Sequence, residues 1–382
     1  MEKPIPYGRQ YIDKKDLLAV QHSLKNEKIT TGDYVERFEK KINKFLKCKY
    51  SVSCNSGTSA LFLAFKAIDL NKNDKVIMPS INFISSYNIA KLFGAQIFLA
   101  DVDKSTGQMT PDDVVDCCKK FKLKNIKALI VMYNGGYPQN ADKFYKLKKK
   151  YGFKIIEDAC HALGAEYVFK KKTYKIGSCK HSDISTFSFH PLKTITTGEG
   201  GLITSNKKNY YSKIKKLRSH GIEKSKHIHW KYDVVYNSLN FRLTDFQCAL
   251  GITQLNKISK FVKMRKKIFN YYRSKLKNNK NFSIPYHNKN YSSSHHLFIL
   301  NIQNLNLKKK DDLFNFMKRK KIILQYHYIP IFNFKIFKGK FIGKKSKIYY
   351  NTSLSLPIYY GLSKKKINYV IKNINNYFNI NE

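Results

Sequence analysis

Between residues 16 and 205 the apolar positions fall into two alternating textures. Short continuous runs of strand length, at 75–78, 95–99, 128–132, 154–157, 184–189 and 201–204, are separated by longer stretches with helical spacing. That alternation predicts a mostly parallel sheet covered by helices. A helix is expected to open at Gly57, after the small-residue turn Asn55-Ser56. In sheets of this kind ligands bind beyond the strand ends, which directs attention to residues 80–86, 158–161 and 190–193. From about residue 245 the texture changes. One long helical stretch runs from Thr244 into 263–267, and shorter strand and helix signals follow, which predicts a second, smaller α/β lobe. No internal repeat is visible, and the Asn/Lys/Ser-rich loop is confined to 278–294.

The chain has 382 residues, 42% of them hydrophobic, enough for two packed lobes rather than one. No apolar run reaches the length of a bilayer span, and Met1-Glu2-Lys3-Pro4-Ile5-Pro6 lacks the basic start and apolar stretch of a secretory signal, so no membrane partner and a cytoplasmic location are expected. The seven cysteines are odd in number and form no C-x-x-C pair, which suggests neither a disulfide framework nor a metal site. A net charge of +46 makes a polyanion the first partner to consider. The lysines are scattered through most polar stretches, however, rather than gathered in one stripe with interleaved aromatics, so no specific nucleic acid is expected.

The chemistry-bearing residues cluster at the predicted strand ends. Lys193 stands in 189–201, where a strand runs through a turn into a glycine-rich stretch; a lysine held in a tight pocket loses its proton more readily and can form a Schiff base. Composition alone would make it one more surface lysine. Asp158 ends an apolar strand, where an acid can bond a pyridine nitrogen and keep it protonated; an aspartate after a strand is also a common helix cap. His161 reads equally as a core histidine. Ser56-Gly57-Thr58 puts small residues with free amides at a helix start, which suits a phosphate and also suits an ordinary cap.

Taken in order, these segments resemble the DegT/DnrJ/EryC1/StrS family of nucleotide-sugar aminotransferases. The likeness begins at Pro6-Tyr7-Gly8-Arg9-Gln10 and continues through Thr30-Thr31-Gly32, Arg218-Ser219-His220-Gly221-Ile222, 240–251 and Tyr326-His327-Tyr328-Ile329-Pro330. It implies the type I pyridoxal-phosphate (PLP) transferase fold, with a large PLP-binding domain over 13–245, a small C-terminal domain over 246–382, and segment 1–12 packing near the active site. It makes Lys193 the residue that holds the cofactor covalently and moves the proton between substrate and cofactor carbons. Asp158 would pair with the pyridine nitrogen, His161 would sit near the phenolic oxygen, and Phe83 would stack on the ring. Gly57, Thr58 and Ser188 would hold the phosphate, joined by Asn240 from a neighbouring subunit, so that a homodimer shares its active sites. His327 and Tyr7 would face the substrate. Within the family, 188–201, 218–222 and 177–183 are most like the pseudaminic-acid branch. That likeness implies transfer of an amino group from L-glutamate to C4 of a UDP-linked 4-keto-6-deoxy-N-acetylhexosamine; a dTDP- or GDP-linked sugar is the alternative substrate, and a non-catalytic protein on the same fold is the alternative outside enzymology. Dehydratases of the family carry histidine where Lys193 stands, which argues against that activity. Residues 131–138 and 237–239 depart from the family pattern, at the expected sugar-facing wall and subunit contact.

Overall fold

The computed structural model describes residues 3–225, 227–285, 288–303 and 305–380. Met1 and Glu2 of the N-terminal segment, Tyr286 and His287 of the 278–294 loop, and Asn381 and Glu382 of the C-terminal portion lie outside the described residues. Nine strands precede residue 206: β1 (Tyr50–Cys54), β2 (Lys75–Pro79), β3 (Gln96–Ala100), β4 (Ile126–Met132), β5 (Lys154–Asp158), β6 (Glu166–Phe169), β7 (Lys172–Lys175), β8 (Ile184–Ser188) and β9 (Gly201–Ser205). Seven of them form the main sheet in the order β1-β9-β8-β5-β4-β2-β3, and Lys340–Phe341 adds an eighth strand beside β3. From β3 to β8 every pairing is parallel, and β9 and β1 close the sheet antiparallel.

The six predicted strands are all present, and the reason they were legible is burial on both faces. Along β4, Ala128 and Ile130 enter one core while Leu129 and Val131 enter the other, so the strand reads as an unbroken apolar run. β1 escaped notice because buried serines, Ser51 and Ser53, alternate with its core residues Val52 and Cys54. Ser53 gives both its amide and its hydroxyl to Glu39 Oε1, each at 2.8 Å, and Arg218 pairs with the same oxygen at 2.7 Å. Those bonds make a buried polar strand affordable in a way apolar counting cannot detect.

The long helix expected from Thr244 to 267 is two helices, Asp245–Asn256 and Ile258–Leu276. At the break, the Lys257 amide turns back to Gln254 O (3.0 Å) and its ammonium sits on Asp13 (3.0 Å) and Asp16 (2.5 Å). Cys248, Leu255, Ile258 and Phe261 still belong to the core of the main sheet. A third core starts at Ile268 and gathers around a three-stranded sheet of Phe282–Ser283, Phe298–Ile302 and Ser353–Leu356, covered by helices Leu307–Arg319 and Lys364–Ile380. Ile5 joins it, exchanging backbone bonds with Lys321 and Ile323 at 2.8 and 2.9 Å.

Asp183 anchors the entry to β8. Its side chain is fully buried, accepts from the Ile155 amide (2.9 Å), and receives the ammonium groups of Lys148 and Lys207, each at 2.7 Å. Burial pushes its carboxyl pKa up, but these bonds more than offset that and the net shift is downward. The stabilisation is therefore complete above the ordinary carboxylate range and is lost as pH falls below about 4. Asp183→Ala is expected to cost about 2–3 kcal/mol at neutral pH. In urea unfolding followed from pH 7 to 3, the variant should also lose part of the acid-limb decline shown by the unaltered protein.

Candidate active site

The parallel strands all deliver their carboxyl ends to one edge of the sheet. In register, Met132 at the end of β4 lies beside Asp158 at the end of β5, and Asp158 lies beside Thr186, two residues before Ser188 ends β8. The segments that leave these ends surround a cavity of about 540 Å³. Of the residues singled out in the sequence, Tyr7, Gly57, Thr58, Phe83, Asp158, His161, Ser188, Lys193 and His327 all line it.

Lys193 is half-buried on the turn after β8, its amide bonded to His190 O at 2.9 Å. Burial lowers its pKa, and the neighbouring Cys160 and Asp158 only partly restore it, so the free amine is more accessible here than on the surface. Asp158 is 3% exposed and is oriented by Ser86 Oγ (3.3 Å) and by the Cys160 amide (3.4 Å). Ser86 in turn takes a bond from Asn82 Nδ2 at 3.3 Å.

The Gly57 turn has a specific steric reason. A Cβ at Gly57 would fall 2.8 Å from the Ser188 Cβ and 3.4 Å from the Cys160 sulfur. The helix Gly57–Ala67 can therefore start against the end of β8 only with glycine. Ser56 caps it by accepting from the Ser59 amide at 3.0 Å, while the Gly57 and Thr58 amides have no acceptor among the described residues. Two free amides, a helix dipole and the nearby Ser188 hydroxyl form an anion cradle at one end of the cavity.

Three histidines, His161, His296 and His327, are packed along the cavity wall. The His161 and His296 rings lie 4.1 Å apart and the His161 and His327 rings 6.0 Å apart. His161 Nε2 bonds Tyr328 Oη at 2.8 Å, its Nδ1 has no partner among the described residues, and His327 Nδ1 bonds Ser355 Oγ at 2.9 Å. Burial holds His161 and His296 well below the usual imidazole range, with the surrounding cations pushing the same way, and burial with Lys193 holds His327 down to about 3. All three are thus neutral at physiological pH, and His327 offers hydrogen bonding rather than charge.

Phe83 is 52% exposed and leans toward Tyr328, with ring centroids 5.8 Å apart. Asn240 is the one candidate outside this chain's cavity. It is exposed, bridged to Ser219, with its side-chain oxygen accepting from the Arg242 amide at 3.1 Å. Of the 131–138 segment only Met132 lines the cavity. Asn134 supports the site from behind, donating to His327 O at 3.3 Å and Tyr349 Oη at 2.9 Å. Sequence reasoning did not single out His296, Tyr328, Cys160 or Ser86 as site residues. His296 and Tyr328 reach the wall from the far end of the chain, and no spacing connects either to His161.

The DegT/DnrJ/EryC1/StrS aminotransferase family profile matches residues 10–375. The chain belongs to this family. A DegT-family relative from Campylobacter jejuni serotype O:23/36, UDP-4-amino-4,6-dideoxy-N-acetyl-β-L-altrosamine transaminase, is 35% identical over 96% of this chain and 95% of its own length. GDP-perosamine synthase of Escherichia coli O157:H7 is 28% identical over 98% of this chain and 99% of its own. Among solved structures, Helicobacter pylori PseC, an aminotransferase of pseudaminic acid biosynthesis, superposes with a TM-score of 0.91 at 26% identity, covering 99% of this chain and 100% of that one. The sugar aminotransferase Spr1654 of Streptococcus pneumoniae, in its pyridoxamine-phosphate form, gives 0.89 at 23% identity and shares the fold over 98% of both this chain and its own. The protein is thus a DegT-family aminotransferase, and its family and fold are those of PLP-dependent enzymes.

The buried histidines set an acid limit on stability. A histidine whose folded pKa is depressed contributes stability that is complete above the unfolded value near 6.5 and is lost as pH falls below it, at up to about 1.4 kcal/mol per pH unit for each ring. Urea midpoints measured from pH 8 to 5 should fall steadily below about pH 6. His296→Gln should flatten that slope by about a third.

Proposed function

We propose that this aminotransferase holds PLP in the cavity at Lys193 and moves an amino group from L-glutamate to C4 of a UDP-linked 4-keto-6-deoxy-N-acetylhexosamine, giving UDP-4-amino-4,6-dideoxy-N-acetyl-β-L-altrosamine. The observation that carries the cofactor assignment is the cradle: two unpaired amides held open by the Gly57–Ser188 approach, in the same cavity as Lys193 and Asp158. The 35% identity to the Campylobacter transaminase supports the choice of sugar.

The residues present fit the cofactor at each of its polar ends. The Gly57 and Thr58 amides and Ser188 would receive the phosphate. Asp158, oriented by Ser86, would accept from the pyridine nitrogen, and Phe83 offers an exposed aromatic face. Bound PLP supplies an electron sink for the carbon that loses its proton. Lys193, its pKa lowered by burial, serves first as the attachment point and then, once free, as the base and acid that carries that proton from one carbon to the other. Tyr328 fixes the His161 ring, so that its remaining nitrogen presents one defined hydrogen-bonding atom. Tyr7, Tyr326 and His327, with the Tyr7 and His327 rings 5.5 Å apart, form one side of the cavity and would meet the sugar nucleotide.

Asn240 completes the reading as a contribution to a second copy's cradle. Around it Trp230, Tyr232, Val234 and Leu239 are each more than half exposed, apolar surface that supports a homodimer.

Borohydride reduction of the PLP-loaded enzyme should leave a pyridoxyl mass on the Lys193 peptide, and Lys193→Ala should lose both this mark and at least about 10³-fold in amination rate. Parallel assays with UDP-, dTDP- and GDP-linked 4-keto sugars should show preference for the UDP substrate. Preference for the GDP sugar would place the enzyme with the perosamine synthases instead.

A further inference from the structure

A second cavity lies behind the lysine turn. It measures about 10 Å³, room for one monatomic ion or one water, and it shares Lys193 with the large cavity. Its wall includes Arg265, Arg9, Lys193, Thr194, Thr196 and Gln254, and among the described residues no carboxylate lines it. Arg265 is 2% exposed. One Nη donates to His296 O (3.2 Å) and Ile358 O (2.9 Å), whereas Nε and the second Nη have no acceptor among the described residues. Nor does Arg265 have an ion-pair partner among them. The carboxylate joined to this wall through Gln254 is Asp16, which is itself taken up by Thr253 (2.6 Å), Gln254 (2.8 Å) and Lys257 (2.5 Å).

A guanidinium removed from water without a counter-charge is costly, and burial alone pulls the Arg265 pKa down to about 10. Water in the cavity would satisfy an N–H but leave the charge. A small anion satisfies both, and a further cation at the wall, Arg9 near the exposed mouth, adds to its attraction. We propose that this cavity is an inorganic anion site of chloride size, built on Arg265 and placed against the turn that carries Lys193. Chloride there would tie the helix Ile258–Leu276, which bears Arg265, to residues 193–196. It would also offset the Arg265 charge that contributes to holding His161 and His296 neutral.

The test uses the intact protein loaded with cofactor. At equal ionic strength, Tm should be about 2–4 °C higher in sodium chloride than in sodium gluconate, whose anion is too large for the cavity, and the gain should saturate with concentration as binding does. Arg265→Met should abolish the difference. Because that variant can fail to fold, bromide-soaked crystals of the unaltered protein give the independent reading: an anomalous peak within about 3.5 Å of the Arg265 guanidinium is expected. Equal Tm in the two salts, a bromide peak only at surface lysines, or water alone beside Arg265 would each overturn the assignment.

Discussion

The site depends on a close approach of the Ser56-Gly57 turn to β8 and β9 that only glycine permits. At Gly57 an added Cβ would press on Ser188, and at Gly201 it would fall 2.1 Å from the Ser56 carbonyl oxygen. These two contacts seat the start of a helix directly on the ends of β8 and β9. Because the helix is so close, its first amides open into the cavity rather than into solvent, and the dipole that an ordinary surface cap would spend on water is directed at a ligand. The same approach brings the Cys160 sulfur against the turn. Substituting either glycine would disturb the cradle.

Around that point the electrostatics follow one rule: charges are few and each has a defined surrounding. The surface carries most of the +46 charge, but among the described residues the large cavity is lined by a single lysine, Lys193, together with Asp158 and Glu199. His161, His296 and His327 beside them are neutral, so they shape the wall and supply hydrogen bonds without competing for the proton that Lys193 handles. The scattered lysines therefore say little about the chemistry, which is governed by groups whose pKa values burial has moved.

Much of this was legible in sequence, and the limits have physical causes. Strands buried on both faces announce themselves as apolar runs, and a ligand edge follows from their parallel order. Asp158, Ser188 and Lys193 could be located because each lies at or just past a strand end. β1 was hidden because serines bonded to Glu39 alternate with its core residues Val52 and Cys54 and interrupt the apolar run. The break at Lys257 was hidden because it depends on acids at Asp13 and Asp16, far away in the chain. His296 and Tyr328 were missed for the same reason: their meaning comes from His161, and only folding brings them to it.

The N-terminal segment has a mechanical consequence. Ile5 is bonded into the third core between Lys321 and Ile323, and the Ile358 amide holds the Tyr7 carbonyl at 3.0 Å, while Tyr7 forms part of the cavity wall. The segment is thus a strap fastened to the C-terminal sheet. Any displacement of that sheet would carry Tyr7 with it, so this side of the cavity is tied to the third core rather than built from separate side chains.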